Sequence, residues 1–164
     1  SVGAVAYAPS NPDVVYLVRH AKAGERRVWE APDVERPLSS KGWKQARSVA
    51  ARLAEQGVSS LYSSPYVRCV QTLEPLSELT GAEIVIDERL AEEQDFEPVL
   101  DLLTEVDSGS VLCSHGDIIP AVLQALVRRG MEVQSDADWR KATVWVLRRK
   151  GDRITKGKVW PPPA

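Results

Sequence analysis

The stretch Val14-Val15-Tyr16-Leu17-Val18-Arg19-His20 runs through five apolar residues, three of them β-branched, and closes on two polar ones. A short, unbroken apolar run of this kind reads as a strand covered on both faces, as in a parallel sheet. The turn signal Asn11-Pro12-Asp13 precedes it. A second stretch, Val111-Leu112-Cys113-Ser114-His115, repeats the pattern, and these are the only two histidines in 164 residues. In an open parallel α/β sheet, ligands bind beyond the carboxyl ends of the strands. Both histidines are therefore expected to face one crevice.

Working outward, residues 21–37 are polar, hold two prolines and read as a long loop, a length that often signals function. Ser39-Ser40 then caps a helix whose inner face is Trp43, Ala46, Val49, Ala50 and Leu53, with Gly57 as its stop. Leu61-Tyr62 is a short strand. Ser63-Ser64-Pro65 predicts a second helix with a serine cap and proline in the first turn, ending at Gly81. Residues 84–86 and 110–114 are further strands, and residues 97–106 and 118–127 further helices. Residues 143–147 and 154–159 close the fold as two strands joined at Gly151-Asp152. Alternating strands and helices imply an α/β three-layer sandwich, a mainly parallel central sheet with helices on both faces. The expected divisions are an amino-terminal tail or linker remnant over residues 1–13, one domain over 14–160, and a disordered proline-rich tail over 161–164.

Hydrophobic residues make up 43% of the chain and charged residues 27%, ordinary for a globular protein, and the net charge is −2. This balance gives no sign of a nucleic-acid or membrane partner. The cluster Arg148-Arg149-Lys150 reads as a solvated strand end. Two distant cysteines, Cys69 and Cys113, make no disulfide framework, and Cys113 reads as a reduced core residue. The start carries no signal-peptide pattern and no run reaches the roughly 20 apolar residues of a membrane span, so the expectation is cytoplasmic. Nothing in the sequence sets an oligomeric state.

Arginines stand close to both histidines. Arg19 adjoins His20, and Arg68 lies in the first turn of the predicted second helix, where an anion is favoured and a guanidinium fork matches phosphate geometry. An imidazole desolvated between such cations is neutral and nucleophilic. The motif Leu17-Val18-Arg19-His20-Ala21 resembles the signature of the histidine phosphatase superfamily, also called phosphoglycerate-mutase-like. Three more motifs follow in that family's order: residues 38–46, Tyr62-Ser63-Ser64-Pro65 with Arg68 and Gln71-Thr72, and Ser114-His115-Gly116.

That resemblance implies roles. His20 attacks phosphorus and becomes a phosphohistidine. Arg19, Arg68 and His115 hold the phosphoryl oxygens, with backbone amides near Gly116. No cofactor or metal is implied, and the two histidines and two cysteines have no usual ligand spacing. Glu92, in Leu90-Ala91-Glu92-Glu93, matches the family's proton-donor position, although Gln94-Asp95-Phe96 departs from the usual continuation and a solvated acidic loop is the rival reading. Asp117 is a lesser donor candidate or a helix cap. Lys22 and Lys41 read as substrate contacts or as solvated side chains. The segment 25–35, with Arg26, Arg27 and Trp29, is the expected substrate-recognition element or a plain surface flap.

Only about 20 residues separate Leu90 from Ser110, too few for the long insertions of phosphoglycerate mutases. The chain resembles the compact branch, which holds SixA-type protein-phosphohistidine phosphatases and the phosphatase domain following a Nudix domain in some actinobacterial nucleotide hydrolases. The expected substrate is a small phosphorylated molecule, nucleotides included, ahead of a phosphohistidine protein and then a phosphoglycerate. A non-catalytic phospholigand-binding module is disfavoured by the intact Arg19, His20, Arg68 and His115. A cysteine-based phosphatase is disfavoured because neither cysteine leads into an arginine-bearing phosphate loop.

Overall fold

A computed structural model describes residues 13–164; residues 1–12, with most of the expected linker, lie outside it. The strands are β1 (Val14–Arg19), β2 (Leu61–Ser63), β3 (Ile84–Ile86), β4 (Val111–Ser114), β5 (Glu132–Val133), β6 (Val144–Lys150) and β7 (Arg153–Trp160). The helices are α1 (Ser40–Ala54), α2 (Val67–Thr80), α3 (Glu97–Glu105) and α4 (Ile118–Arg128). Strand order is β3-β2-β4-β1-β6-β7-β5. β3, β2, β4 and β1 run parallel, β6 is antiparallel to β1 and β7, and β5 pairs parallel with β7. The mainly parallel α/β sandwich is therefore the observed architecture.

Alternation along β1 builds both layers. Val15 and Leu17 pack with α3 and α4 around Leu112, Leu103, Val122 and Trp145. Val14, Tyr16 and Val18 pack with α1 and α2 around Ala46, Leu53, Leu73 and Val144. This two-sided burial is why the strand reads as a continuous apolar run rather than an alternating one. Ser39 caps α1 by accepting the Gly42 N–H at 3.1 Å. Gly42 is glycine for space: a Cβ there would lie 1.9 Å from the Lys22 carbonyl oxygen. Ser39 donates to that same oxygen, so the crossing ties the loop after His20 onto the start of α1. Among the described residues no helix is long and apolar enough to cross a membrane.

Four expectations are corrected. α2 begins at Val67 with Tyr66 as its unassisted cap, not at Ser63-Ser64-Pro65, because the Ser64 hydroxyl is turned toward His115 instead. Arg149 is not solvated: its guanidinium is buried against the Leu103 and Val106 carbonyls and the Asp13 carboxylate, so a strand-end cation staples β6 to the end of α3. Asp117 makes no side-chain cap to α4 and instead accepts the Glu93 N–H at 2.9 Å. Residues 161–164 follow β7 as irregular chain, with Pro162 and Pro163 half-buried beside Lys41 and Lys141. The short β5 has no apolar run to announce it, since both of its residues are exposed.

Candidate active site

Parallel pairing brings the two histidines together. β1 and β4 are neighbours with Arg19 opposite Ser114, so His20 and His115 leave the sheet side by side. The His20 N–H donates to the Ser114 carbonyl at 3.1 Å. The two rings meet edge to face with centroids 5.4 Å apart. Ser64 leaves the adjoining β2 at the same edge and places its hydroxyl 2.8 Å from His115 Nε2. Arg68, in the first turn of α2, reaches over the same opening and is 1% exposed. Three adjacent strand ends and one helix start thus converge on one cleft of about 500 Å³. A cleft of about 560 Å³ at the opposite strand ends, lined by Val14, Tyr16 and Trp160, contains neither histidine.

The hydrogen bonds assign a tautomer to each ring. His20 Nδ1 lies 2.8 Å from the Ala21 carbonyl, which only accepts, so Nδ1 carries the proton and Nε2 keeps its lone pair toward the cleft. At His115, the Ser64 hydroxyl lies 2.8 Å from Nε2 and the Glu92 carboxylate faces Nδ1, so we assign Ser64 as the donor to Nε2. The proton of His115 is then on Nδ1, which is buried without a hydrogen-bond partner and 3.4 Å from Glu92 Oε1. Arg19 Nε and Arg68 Nε are likewise buried and unpaired. An unsatisfied buried donor costs about 1–3 kcal/mol. Three such donors belong to side chains that meet at these strand ends.

Burial is the main reason both imidazoles stay neutral. It pushes His20 down to about 3, with Arg68, Arg19 and Lys141 adding to the effect against the bond to Ala21. It pushes His115 down to about 2, helped by His20, Arg68 and Arg19. An unfolded histidine titrates near 6.5. Between that value and the folded ones the unfolded chain binds more protons, so stability falls as pH falls. We expect the urea midpoint to drop steadily from pH 6.5 to 4.5, with a slope of up to about 1.4 kcal/mol per pH unit for each histidine. A flat profile over that window would mean that the rings are not buried as neutral bases.

Arg19 is fixed by its backbone surroundings. Its NH1 donates to the Trp139 carbonyl at 2.9 Å. Gly116 lies against the guanidinium so closely that a Cβ would sit 2.6 Å from its central carbon. Gly116 lines the cleft, and its lack of a side chain lets Arg19 lie flat there. Arg68 donates to the Asp33 carbonyl at 3.0 Å, to the Asp33 carboxylate at 3.1 Å and to Glu92 Oε1 at 3.0 Å. Its guanidinium also sits 4.8 Å from the Tyr66 ring centroid.

Most of the residues singled out from the sequence meet here. Arg19, His20, Lys22, Arg26, Arg68, Glu92 and Gly116 line the cleft. His115 does not line it; it is buried beside His20, with Nδ1 3.4 Å from the Glu92 that does. Lys41 does not line this cleft; it lies in an adjoining depression that shares Arg19 and Lys22 with it. Of the segment 25–35, Arg26 turns inward to within 3.7 Å of Glu92 and 3.5 Å of Asp33. Arg27 and Trp29 instead close local contacts with Glu25 and the Pro32 carbonyl. Asp33, Arg36, Tyr66 and Lys141 were not singled out. Arg36 is buried and holds Asp33 at 2.8 Å. Lys141 precedes β6, which is antiparallel to β1, so its amino-terminal end lies over the histidines. A basic residue before the strand was the available signal, but strand direction is not written in the sequence. Among the described residues no group of three or more His, Cys, Asp or Glu has the arrangement of a metal site.

At one end of its sheet the α/β sandwich gathers two neutral histidines, the strand-end Arg19 and the helix-start Arg68. The profile of the Histidine phosphatase superfamily (branch 1) matches residues 15–96, and the chain belongs to that superfamily. It is similar to the 8-oxo-(d)GTP phosphatase of Mycolicibacterium smegmatis, 30% identical over 161 residues, covering 94% of this chain and 50% of that protein. The chain thus spans half the length of that relative. Its fold matches the protein histidine phosphatase SixA complexed with tungstate (TM-score 0.72, 18% identity, 92% of this chain and 96% of that one). It also matches a mycobacterial glucosyl-3-phosphoglycerate phosphatase in complex with VO3 (TM-score 0.67, 17% identity, 92% and 100%).

Proposed function

We propose that this chain is a metal-independent phosphatase that cleaves a phosphate ester or phosphoanhydride through a phosphohistidine on His20. One observation carries the proposal: His20 Nδ1 is tied to the Ala21 carbonyl, which leaves Nε2 as the free lone pair in a cleft that also holds two unpaired guanidinium nitrogens, Arg19 Nε and Arg68 Nε. Nε2 attacks phosphorus as the bond to the leaving oxygen breaks. Arg19, Arg68 and His115 hold the equatorial oxygens and stabilise the charge that builds up there. Glu92, at the cleft wall beside Arg68 and His115, gives its proton to the leaving oxygen. It then takes one from the water that displaces the histidine and releases orthophosphate.

The substrate read here is a small phosphorylated molecule, with nucleotides favoured by the similarity to a nucleotide phosphatase across nearly the whole chain. A phosphohistidine protein is the second reading. It is favoured by the shortness of the connection from β3 to β4, which carries one 3-10 turn at Glu88–Leu90 and the nine-residue α3. A panel of nucleoside phosphates, a phosphohistidine protein and a phosphoglycerate, assayed with and without EDTA, tests both proposals. Turnover of a nucleoside phosphate that is untouched by EDTA is expected. Abolition by the chelator would overturn metal independence, and turnover of the phosphoprotein alone would reverse the substrate order.

A further inference from the structure

Beside the His20 cleft lies a second depression that shares Arg19, Lys22 and Lys141 with it and adds Lys41, Gln45 and Arg140, with Pro162, Pro163 and Ala164 as its remaining wall. Its charges are uneven. Arg140 is neutralised by Asp138 at 2.7 Å. Among the described residues, Lys22, Lys41 and Lys141 have no carboxylate within salt-bridge distance. The nearby acids are already engaged: Asp33 by Arg26, Arg36 and Arg68, and Glu92 by Arg68 and Arg26. Three free ammonium groups therefore gather on one flank of the nucleophile, in a chain whose net charge is −2.

Their positions are set by the backbone. Lys22 follows the Ala21 carbonyl that orients His20, its own N–H donates to Gln45 Oε1 at 3.0 Å, and its carbonyl is clamped by Ser39. Lys141 precedes Ala142, a buried residue held at φ 65°. That left-handed conformation is unfavourable for alanine. It is maintained by the Ala142 N–H, which reaches the carbonyls of Arg19 and His20 at 3.2 Å each. The turn therefore places Lys141 at the carboxyl end of β1. Burial and the neighbouring Arg19, Arg36, Lys22 and Arg68 hold its ammonium below the usual lysine range, the mark of a cation crowded by cations. A counter-anion relieves that crowding.

We infer that Lys22, Lys41 and Lys141 form a second anion subsite, so that the substrate is a phosphoanhydride chain carrying at least one further phosphate beyond the one transferred to His20. The inference rests on His20 marking the phosphoryl position. Lysine is a compact point charge on a flexible stem, suited to phosphate oxygens in several orientations, whereas the arginine forks at His20 fix one geometry. The flank thus recognises the rest of the chain and the arginines grip the phosphate that leaves.

The test is calorimetric titration with tripolyphosphate, ATP and orthophosphate at fixed ionic strength, using the full chain and the variants Lys41→Ala, Lys141→Ala and Lys44→Ala. The chain with all its lysines should bind tripolyphosphate at least about tenfold more tightly than orthophosphate, each added ion contact being worth roughly a factor of ten. That ratio should fall at least about fivefold in Lys41→Ala and in Lys141→Ala. Lys44→Ala removes an equal charge from the exposed face of α1 and should leave the ratio unchanged. ATP sharing the preference locates recognition in the phosphate chain, and ATP binding no better than orthophosphate would overturn it for nucleotides. A ratio near one in the chain with all its lysines, or an equal fall in all three variants, would overturn the subsite. Every protein titrated, the one with all its lysines included, also carries His20→Ala, so that binding is read without turnover; if the chain with His20 intact turns over none of these phosphates while the lysine-dependent ratio holds, the phosphatase proposal falls and the subsite stands.

Discussion

His20→Ala should lower the turnover of an aryl phosphate by at least about 10³-fold while the protein stays folded, an effect of the size expected when a covalent nucleophile is removed. No other side chain is placed to substitute. The Ser64 hydroxyl is committed to His115. Cys69 and Cys113 are fully buried, and burial drives the Cys113 thiol well above its ordinary range, away from the reactive thiolate. The ring of His115 is buried and its Nε2 takes the Ser64 hydroxyl, so it offers no lone pair to phosphorus while Nδ1 stays free to donate. The variant loses one hydrogen bond to a backbone carbonyl, worth about 1 kcal/mol, so a melting curve should remain cooperative. Wild type quenched during turnover of a labelled substrate should carry an acid-labile, base-stable phosphoryl group that the variant lacks. Residual activity within tenfold of wild type would show that water, not His20, attacks phosphorus.

The sequence marked His20 because two different patterns agreed on it. A doubly covered strand has to be apolar throughout, so its end is conspicuous, and the only two histidines sit just past two such ends. Glu92 was legible through the family motif, and the structure gives it the contacts with Arg68 and His115 that the sequence left open. What stayed hidden depends on directions and on backbone crossings. Ser64 looks like a helix cap in sequence, and only the adjacency of β2 and β4 turns its hydroxyl onto His115. Arg149 looks like surface charge, yet the chain around it has spare carbonyls to offer. Lys141 reaches the site because β6 runs against β1. Asp33 lies in a polar loop with no periodicity, and its capture by three arginines is a tertiary event.

Arg68→Ala should lower kcat/KM for the same aryl phosphate by about 10²–10³-fold, the usual effect of deleting one preorganised donor from a transition-state anion. Arg68→Lys should recover only part of that, because a point charge cannot serve Asp33, Glu92 and a phosphoryl oxygen at once in the way a planar fork does. Two further readouts separate a phosphate-binding role from a scaffolding one. Arg68 is among the cations that hold His20 below the ordinary histidine range, so its loss should raise that value and move the acid limb of the rate profile toward higher pH. It also anchors the loop at Asp33, so the alanine variant should be cut faster by protease within residues 24–37. If Arg68 were only a loop anchor, cleavage would quicken while kcat/KM stayed within about threefold of wild type. If it only gripped phosphate, the rate would fall with the loop as resistant as before. The buried guanidinium uses Nη1 and Nη2 for Asp33 and Glu92 and leaves Nε unpaired, so one planar group serves both the recognition loop and the phosphoryl site, and its loss requires both changes together.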